Sequence, residues 1–147
     1  MVGKRTAQSR AIVTDADYAA LAAFRRDLRR FLAFSQSAAR AAGLPPQQHQ
    51  ALLAIKGHAK GPPVTVGKLA EDLLIAPHTA TELVERLVRG GLLTKRRAPA
   101  EARRVELALT NRAEKILHLL SAAHLAELRR IGPLLTAQLR TIRARRR

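Results

Sequence analysis

Cysteine is missing from this chain of 147 residues, and aromatic residues make up only 3% of it. Without cysteine there is no disulfide, no thiolate redox sensor and no Cys-ligated zinc. With so few rings, a core has to come from Leu, Ala, Val and Ile, which suits packed helices. Acidic residues are scarce as well, 11 Asp plus Glu against 27 Lys plus Arg, for a net charge of +16. The few carboxylates are scattered among arginines, as solvated surface charges are. No apolar run reaches the ~18 residues of a membrane span. The basic start MVGKRTAQSR has no apolar stretch behind it and does not read as a signal peptide. A cytoplasmic protein without a membrane segment is expected. The phosphate-loop, nucleophile-elbow and dinucleotide glycine patterns are all lacking, and so is H-E-x-x-H. His118 and His124 are six residues apart, a spacing that does not share one helical face. No enzyme activity, cofactor or metal site is therefore expected.

What is present is a hydrophobic content of 47% and a length suited to one domain. So large an excess of positive charge attracts polyanions, either nucleic acid or an acidic membrane surface. Residues 1–14 read as a flexible basic N-terminus. Asp15 is the expected cap of a long helix reaching about Ala42, with a stripe of Tyr18, Leu21, Phe24, Leu28, Phe31 and Leu32. Arg25, Arg26, Arg29 and Arg30 take the other face, and Gly43 ends the helix. Pro45 and Pro46 open a second helix over Gln47 to about His58, whose run Ala51–Ile55 marks it as buried. Val64–Val66 reads as a short strand.

The most informative stretch follows. Thr65 is a candidate N-cap, and Val66, Leu69, Ala70 and Leu73 repeat at helical spacing. A tight turn leads to Pro77, the expected first residue of the next helix. There Ala80, Leu83, Val84 and Leu87 face inward, while His78, Thr79, Thr81, Glu82, Glu85, Arg86 and Arg89 face outward, up to the stop at Gly90-Gly91. Leu92–Arg96 and Arg104–Leu109 read as two strands, with Val105, Leu107 and Leu109 alternating against polar neighbours. Thr110 then caps a long helix carrying Ile116, Leu117, Leu120, His124, Leu128 and Ile131. Gly132-Pro133 is expected to break it, leaving a last helix with Leu134, Leu135, Leu139 and Ile142 before the tail Arg143–Arg147. Helix, turn, helix and basic hairpin make up a winged helix-turn-helix. The fold class expected is mainly α, with a small β-hairpin wing and long terminal helices.

Such a layout serves to put one helix in a major groove. The first exposed turns of that helix need small or polar side chains that reach base edges. Thr79 and Thr81 suit a thymine methyl or a phosphate, Glu82 suits a cytosine amino group, and Arg86 suits a guanine or a phosphate. In the hairpin, Lys95, Arg96, Arg97, Arg103 and Arg104 face one acid, Glu101, and are placed to lie on phosphates or enter a narrow minor groove. Thr65, Pro77 and His78 complete the candidate DNA-binding set.

The run from Thr65 to Thr110 resembles the DNA-binding lobe of the MarR family of bacterial transcription regulators. The matching positions are Thr79, Leu83, Val84, Arg86, Leu87, Gly91, Leu92 and Leu93, then Glu101-Ala102-Arg103, then Val105, Leu107, Leu109 and Thr110. The likeness extends upstream through LPPQQHQALLAI. Two positions depart from the pattern. Glu101 stands where the family usually has Asp, and Ala76 stands where Ser is common, which removes a side-chain N-cap worth ~1 kcal/mol. The resemblance implies one domain, with a winged lobe over 44–109 and dimerisation helices over 15–43 and 110–147. It implies a homodimer that binds a palindromic operator in double-stranded DNA. It also implies a ligand-responsive repressor with a small aromatic or phenolic effector, for which Phe31, His49 and His58 are the candidate contacts. The first and last helices also carry more apolar surface than one small lobe can bury, which points to the dimer independently. The competing reading is a general, nucleoid-type nucleic-acid binder whose affinity comes from the basic tails.

Overall fold

The computed structural model describes residues 12–97 and 104–144. Five helices and three short strands follow in order: α1 (Asp15–Ala41), α2 (Pro46–Gly57), β1 (Val64–Thr65), α3 (Val66–Leu73), α4 (Pro77–Arg89), β2 (Leu93–Arg97), β3 (Val105–Leu109) and α5 (Asn111–Ala144). The sheet is antiparallel in the order β1-β3-β2, with Val64 opposite Leu107 and Leu93 opposite Leu109. Its inner face and the helices α2, α3 and α4 enclose a core in which Leu52, Leu69, Val84, Leu87 and Leu93 are fully buried.

Local chemistry sets the ends of α1. The cap is Thr14 rather than Asp15, which is the first helical residue. The Thr14 hydroxyl accepts from the Asp17 backbone N–H at 3.3 Å, and the Asp17 carboxylate accepts from the Thr14 N–H at 2.9 Å, a reciprocal capping box. At the other end Gly43 has φ +79°, which lets Leu44 turn back to donate to the Ala39 carbonyl and bury its side chain. Only two of the six residues of the stripe expected on α1 are even partly covered. Phe24 and Phe31 are partly buried, but Tyr18, Leu21, Leu28 and Leu32 remain exposed in the single chain.

The break expected at Gly132-Pro133 does not occur, and α5 runs unbroken for 34 residues with Pro133 inside it. An interior proline removes one backbone hydrogen bond and crowds the carbonyl four residues back, at a cost of ~3 kcal/mol. Packing on both sides of it offsets that cost. α5 lies antiparallel to α1, with His124 against Ser35 before the proline and Gln138 against Asp27 after it. Between these contacts Ile131 is buried. Asp27 is itself buried, and its carboxylate accepts from the Gln138 amide at 2.6 Å, with Arg26 and Arg30 at 3.9 and 4.0 Å.

The winged lobe meets this two-helix stalk at a buried pair of histidines. The His124 Nδ1–H donates to the Leu120 carbonyl at 2.6 Å, and Nε2 lies 2.7 Å from the Ser35 hydroxyl. Phe31 and Phe34 present ring edges to His124, and the His49 ring, from α2, lies 4.9 Å from it. Burial, and then the neighbouring His124, lower the pKa of His49 below its ordinary 6.5.

Two predictions arise from this scaffold. Because the folded state resists protonating His49 and the unfolded chain does not, stability falls as pH drops from about 6.5 toward the lowered value. Urea unfolding at pH 7.5 and 5.5 will show this loss, and His49→Phe will shrink it. The second concerns Leu74, which adopts the left-handed conformation at φ 55° while 92% exposed. Such a residue pays for no packing in return for its strain, so Leu74→Gly will stabilise by about 1 kcal/mol and raise the melting midpoint by ~3 °C. Leu74→Ala, which keeps the strain, will leave the midpoint unchanged.

Candidate nucleic-acid interface

The interface is built outward from α3. Thr65 caps α3, its hydroxyl accepting from the Lys68 N–H at 3.2 Å. After Leu73 the left-handed Leu74 reverses the chain within one residue. The Ile75 N–H then closes back on the Ala70 carbonyl, and Ala76 leads into Pro77. α4 begins without a side-chain cap, since Ala76 has no oxygen to offer. Pro77 offsets part of that loss by presetting φ and presenting no unpaired N–H.

α4 is sharply two-sided. Ala80, Leu83, Val84 and Leu87 are buried against the core, while His78, Thr81, Glu82 and Arg86 are exposed and Thr79 is partly so. The Thr81 hydroxyl donates to the Pro77 carbonyl at 3.1 Å, which leaves its oxygen free to accept. Arg86 forms no ion pair among the described residues. The six helical residues of the candidate set, Pro77, His78, Thr79, Thr81, Glu82 and Arg86, therefore share one surface of one helix.

The wing adds the basic component. Arg96 sits opposite Glu106, and Arg97 opposite Val105, so Arg97 and Arg104 flank the open end of the two strands. All three arginines are exposed. Lys95 differs from them, because its ammonium lies 2.6 Å from the Glu85 carboxylate of α4. Its hydrogen bond and charge hold that carboxyl below the ordinary glutamate range. Glu85 thus ties the root of the wing to α4 and shares the charge of Lys95. Arg103 and Glu101 lie outside the described residues.

Phe31, His49 and His58 do not converge. Phe31 and His49 surround His124 in the packed joint, whereas His58 closes the end of α2 against α3. There the His58 Nε2 lies 2.6 Å from Asp72, which also holds Lys68 at 3.1 Å. The hydrogen bond from His58, and then that from Lys68, depress the Asp72 carboxyl. The open space lies elsewhere. A cleft of about 220 Å³ between α2 and α5 is lined by Leu53, Lys56, Glu114, Leu117, His118 and Ser121. The sequence gives no sign of it, because its lining comes from two separate helices and Leu53 and Leu117 read there as core positions. Only the fold brings Lys56 within 2.9 Å of Glu114.

Comparison with known proteins agrees with this architecture. The MarR family model matches residues 42–104. The solved structure of a MarR family transcription regulator is 26% identical, superposes with a TM-score of 0.69, and shares 86% of this chain and 85% of its own. Rv1404 of Mycobacterium tuberculosis is 20% identical at a TM-score of 0.71, over 91% of this chain and 94% of its own. The Staphylococcus aureus MepR–DNA complex is 16% identical at a TM-score of 0.66, over 82% and 86%. Curated protein sequences give no match. The MarR family model thus matches most of the winged lobe, and stalk and lobe together superpose on a solved MarR family transcription regulator, so the chain has the winged helix-turn-helix architecture of that family.

Proposed function

We propose that the protein is a sequence-specific regulator of transcription that binds a palindromic operator in double-stranded DNA as a homodimer. The observation that carries this reading is the division of α4, with one face locked into the core and the other offering His78, Thr79, Thr81, Glu82 and Arg86 beside a basic wing. A helix held so firmly from behind presents its polar turns at a fixed depth and roll, as base readout requires. Arg96, Arg97 and Arg104 supply phosphate contacts that add affinity without sequence information. A two-fold partner supplies cover for Tyr18, Leu21, Leu28 and Leu32 on α1 and for Leu125, Leu128, Leu134 and Leu139 on α5, all exposed in the single chain. The S. aureus relative solved with DNA supports nucleic acid as the partner. Repression and its relief by a small aromatic or phenolic anion belong to the same proposal. On this chain the α2–α5 cleft, with Lys56 and His118 in its wall, is the place for the anion in preference to the packed joint.

Selection from a random duplex pool at about 150 mM salt, where loose electrostatic binding is weak, is the direct test. An enriched palindrome with half-sites ~34 Å apart is expected. Enrichment without a motif would replace this reading with general nucleic-acid binding. Two outcomes follow for variants. Arg97→Ala or Arg104→Ala will weaken binding to all duplexes and lower the salt slope by ~0.9. Thr81 and Glu82 substitutions will instead reorder preference among sites, by about 1–3 kcal/mol per contacted base pair. Sedimentation of the free protein should give twice the 16.1 kDa of one chain.

A further inference from the structure

The C-terminal end of α4 is closed by the start of α5. The last carbonyls of a helix have no partner within it, and they carry the negative end of its dipole. Here the Arg86, Leu87 and Val88 carbonyls accept from the N–H groups of the turn that follows, and the three carbonyls after the helix are met from the start of α5. The Gly90 carbonyl accepts from the Arg112 guanidinium Nη1–H at 3.0 Å. The Gly91 carbonyl accepts from the Thr110 hydroxyl at 2.8 Å, and the Leu92 carbonyl accepts from the Thr110 N–H at 3.1 Å. The turn itself depends on Gly91, whose φ of +72° brings the Leu92 N–H back to the Leu87 carbonyl at 2.9 Å. The same Thr110 hydroxyl accepts from the Ala113 N–H at 3.2 Å and so caps α5. One short clasp thus joins the end of the groove-facing helix to the beginning of the stalk.

We propose that Arg112 is a positioning residue that makes α4 follow α5, and so sets the spacing between the two half-sites the dimer accepts. This rests on the reading of a dimeric DNA-binding regulator. α5 is about 51 Å long, so a small tilt at the stalk is delivered to α4 through whatever bonds the two helices at their junction. Three bonds make up this contact, and Arg112 alone among the donors does no second job. Thr110 also caps α5, whereas Arg112 is exposed and spends its guanidinium on α4. Losing it leaves the fold and the polar face of α4 in place but lets α4 roll and tilt independently of the stalk.

The test uses the full-length protein with Arg112→Met, which keeps the aliphatic stem and removes the donors, and Arg112→Lys, which restores one donor. Operators with the selected spacer, and with one base pair more or fewer, are titrated at several salt concentrations. Wild type is expected to prefer the selected spacer by about tenfold. Arg112→Met should bring that preference below threefold, keep the affinity for an isolated half-site within twofold, and leave the salt slope unchanged. Arg112→Lys should recover part of the preference. Should Arg112→Met instead lower the salt slope by ~0.9 with spacer preference intact, Arg112 is a phosphate contact and the proposal is overturned. It is equally overturned if wild type binds duplex DNA without spacer preference, a result that leaves the DNA-binding reading standing. No duplex binding by wild type overturns both. A melting midpoint within a few degrees of wild type for either variant assigns the change to position and not to unfolding. If Arg112→Met melts early, Arg112→Lys is read alone, and an unchanged spacer preference at lowered donor capacity counts against the clasp.

Discussion

Burial of Leu83, Val84 and Leu87 determines how α4 can be used, and most of the molecule follows from it. A helix has one roll angle at which these three side chains, with Ala80, all reach the core. At that angle His78, Thr81, Glu82 and Arg86 are outside. Leu→Ala changes in such a core cost ~2–5 kcal/mol, and a polar side chain turned inward without partners costs a similar amount. The roll is thus set by energies well above thermal noise, while the outward residues are left free of packing duties. That separation lets the outer face vary while the inner face remains the same.

Charge acts at a different range. An excess of +16 draws the chain to any polyanion, but the surface of α4 is not uniformly basic. Glu82 and Glu85 stand among its outward residues, and Glu85 takes the nearest wing cation, Lys95, into a 2.6 Å pair. An exposed pair of this kind contributes little to stability. Its effect is on where charge is available, since Lys95 reaches a phosphate only by sharing or leaving Glu85. Arg96, Arg97 and Arg104, which form no ion pair among the described residues, lie further along the wing. The free positive charge of the wing and the mixed polar face of α4 thereby rest on different residues.

How much of this was legible in the sequence depended on whether the cause was local. The apolar repeat of α4 and the alternation of β3 state their own buried faces, and Pro77, Gly43 and the Gly90-Gly91 pair mark ends through backbone constraints that need no tertiary partner. Gly132-Pro133 misled for the converse reason. Its local cost is real, and only the packing of α1 against both halves of α5 offsets it. Thr14 was overlooked as a cap because Asp15, also a good capping residue, stands next to it, and the reciprocal bond to Asp17 decides between them. Phe31, His49 and His58 are candidate effector contacts only through the family resemblance, with no local pattern that joins them. The fold separates them, placing two around His124 and the third on Asp72. Arg112 gave no signal, because an arginine in the first turn of a helix reads as solvated charge until another helix is seen to end beside it.

The same contrast bears on how such a protein responds to anything that binds it. The core of the lobe is well packed and the stalk is held by buried polar contacts at Asp27 and His124, so neither is a soft spot. What lies between them is polar and partly exposed: the clasp at Gly90 and Gly91, and the Lys56–Glu114 pair across the α2–α5 cleft. Interactions of that kind are individually weak and rearrange at little cost, whereas packed apolar contacts shift only in discrete steps. A ligand entering the cleft would meet Lys56 and Glu114, and Glu114 is two residues from Arg112 on the first turn of α5. Moving that turn moves the donors that end α4. The geometry thereby connects the cleft between α2 and α5 to the end of α4, through a single turn and without disturbing either core.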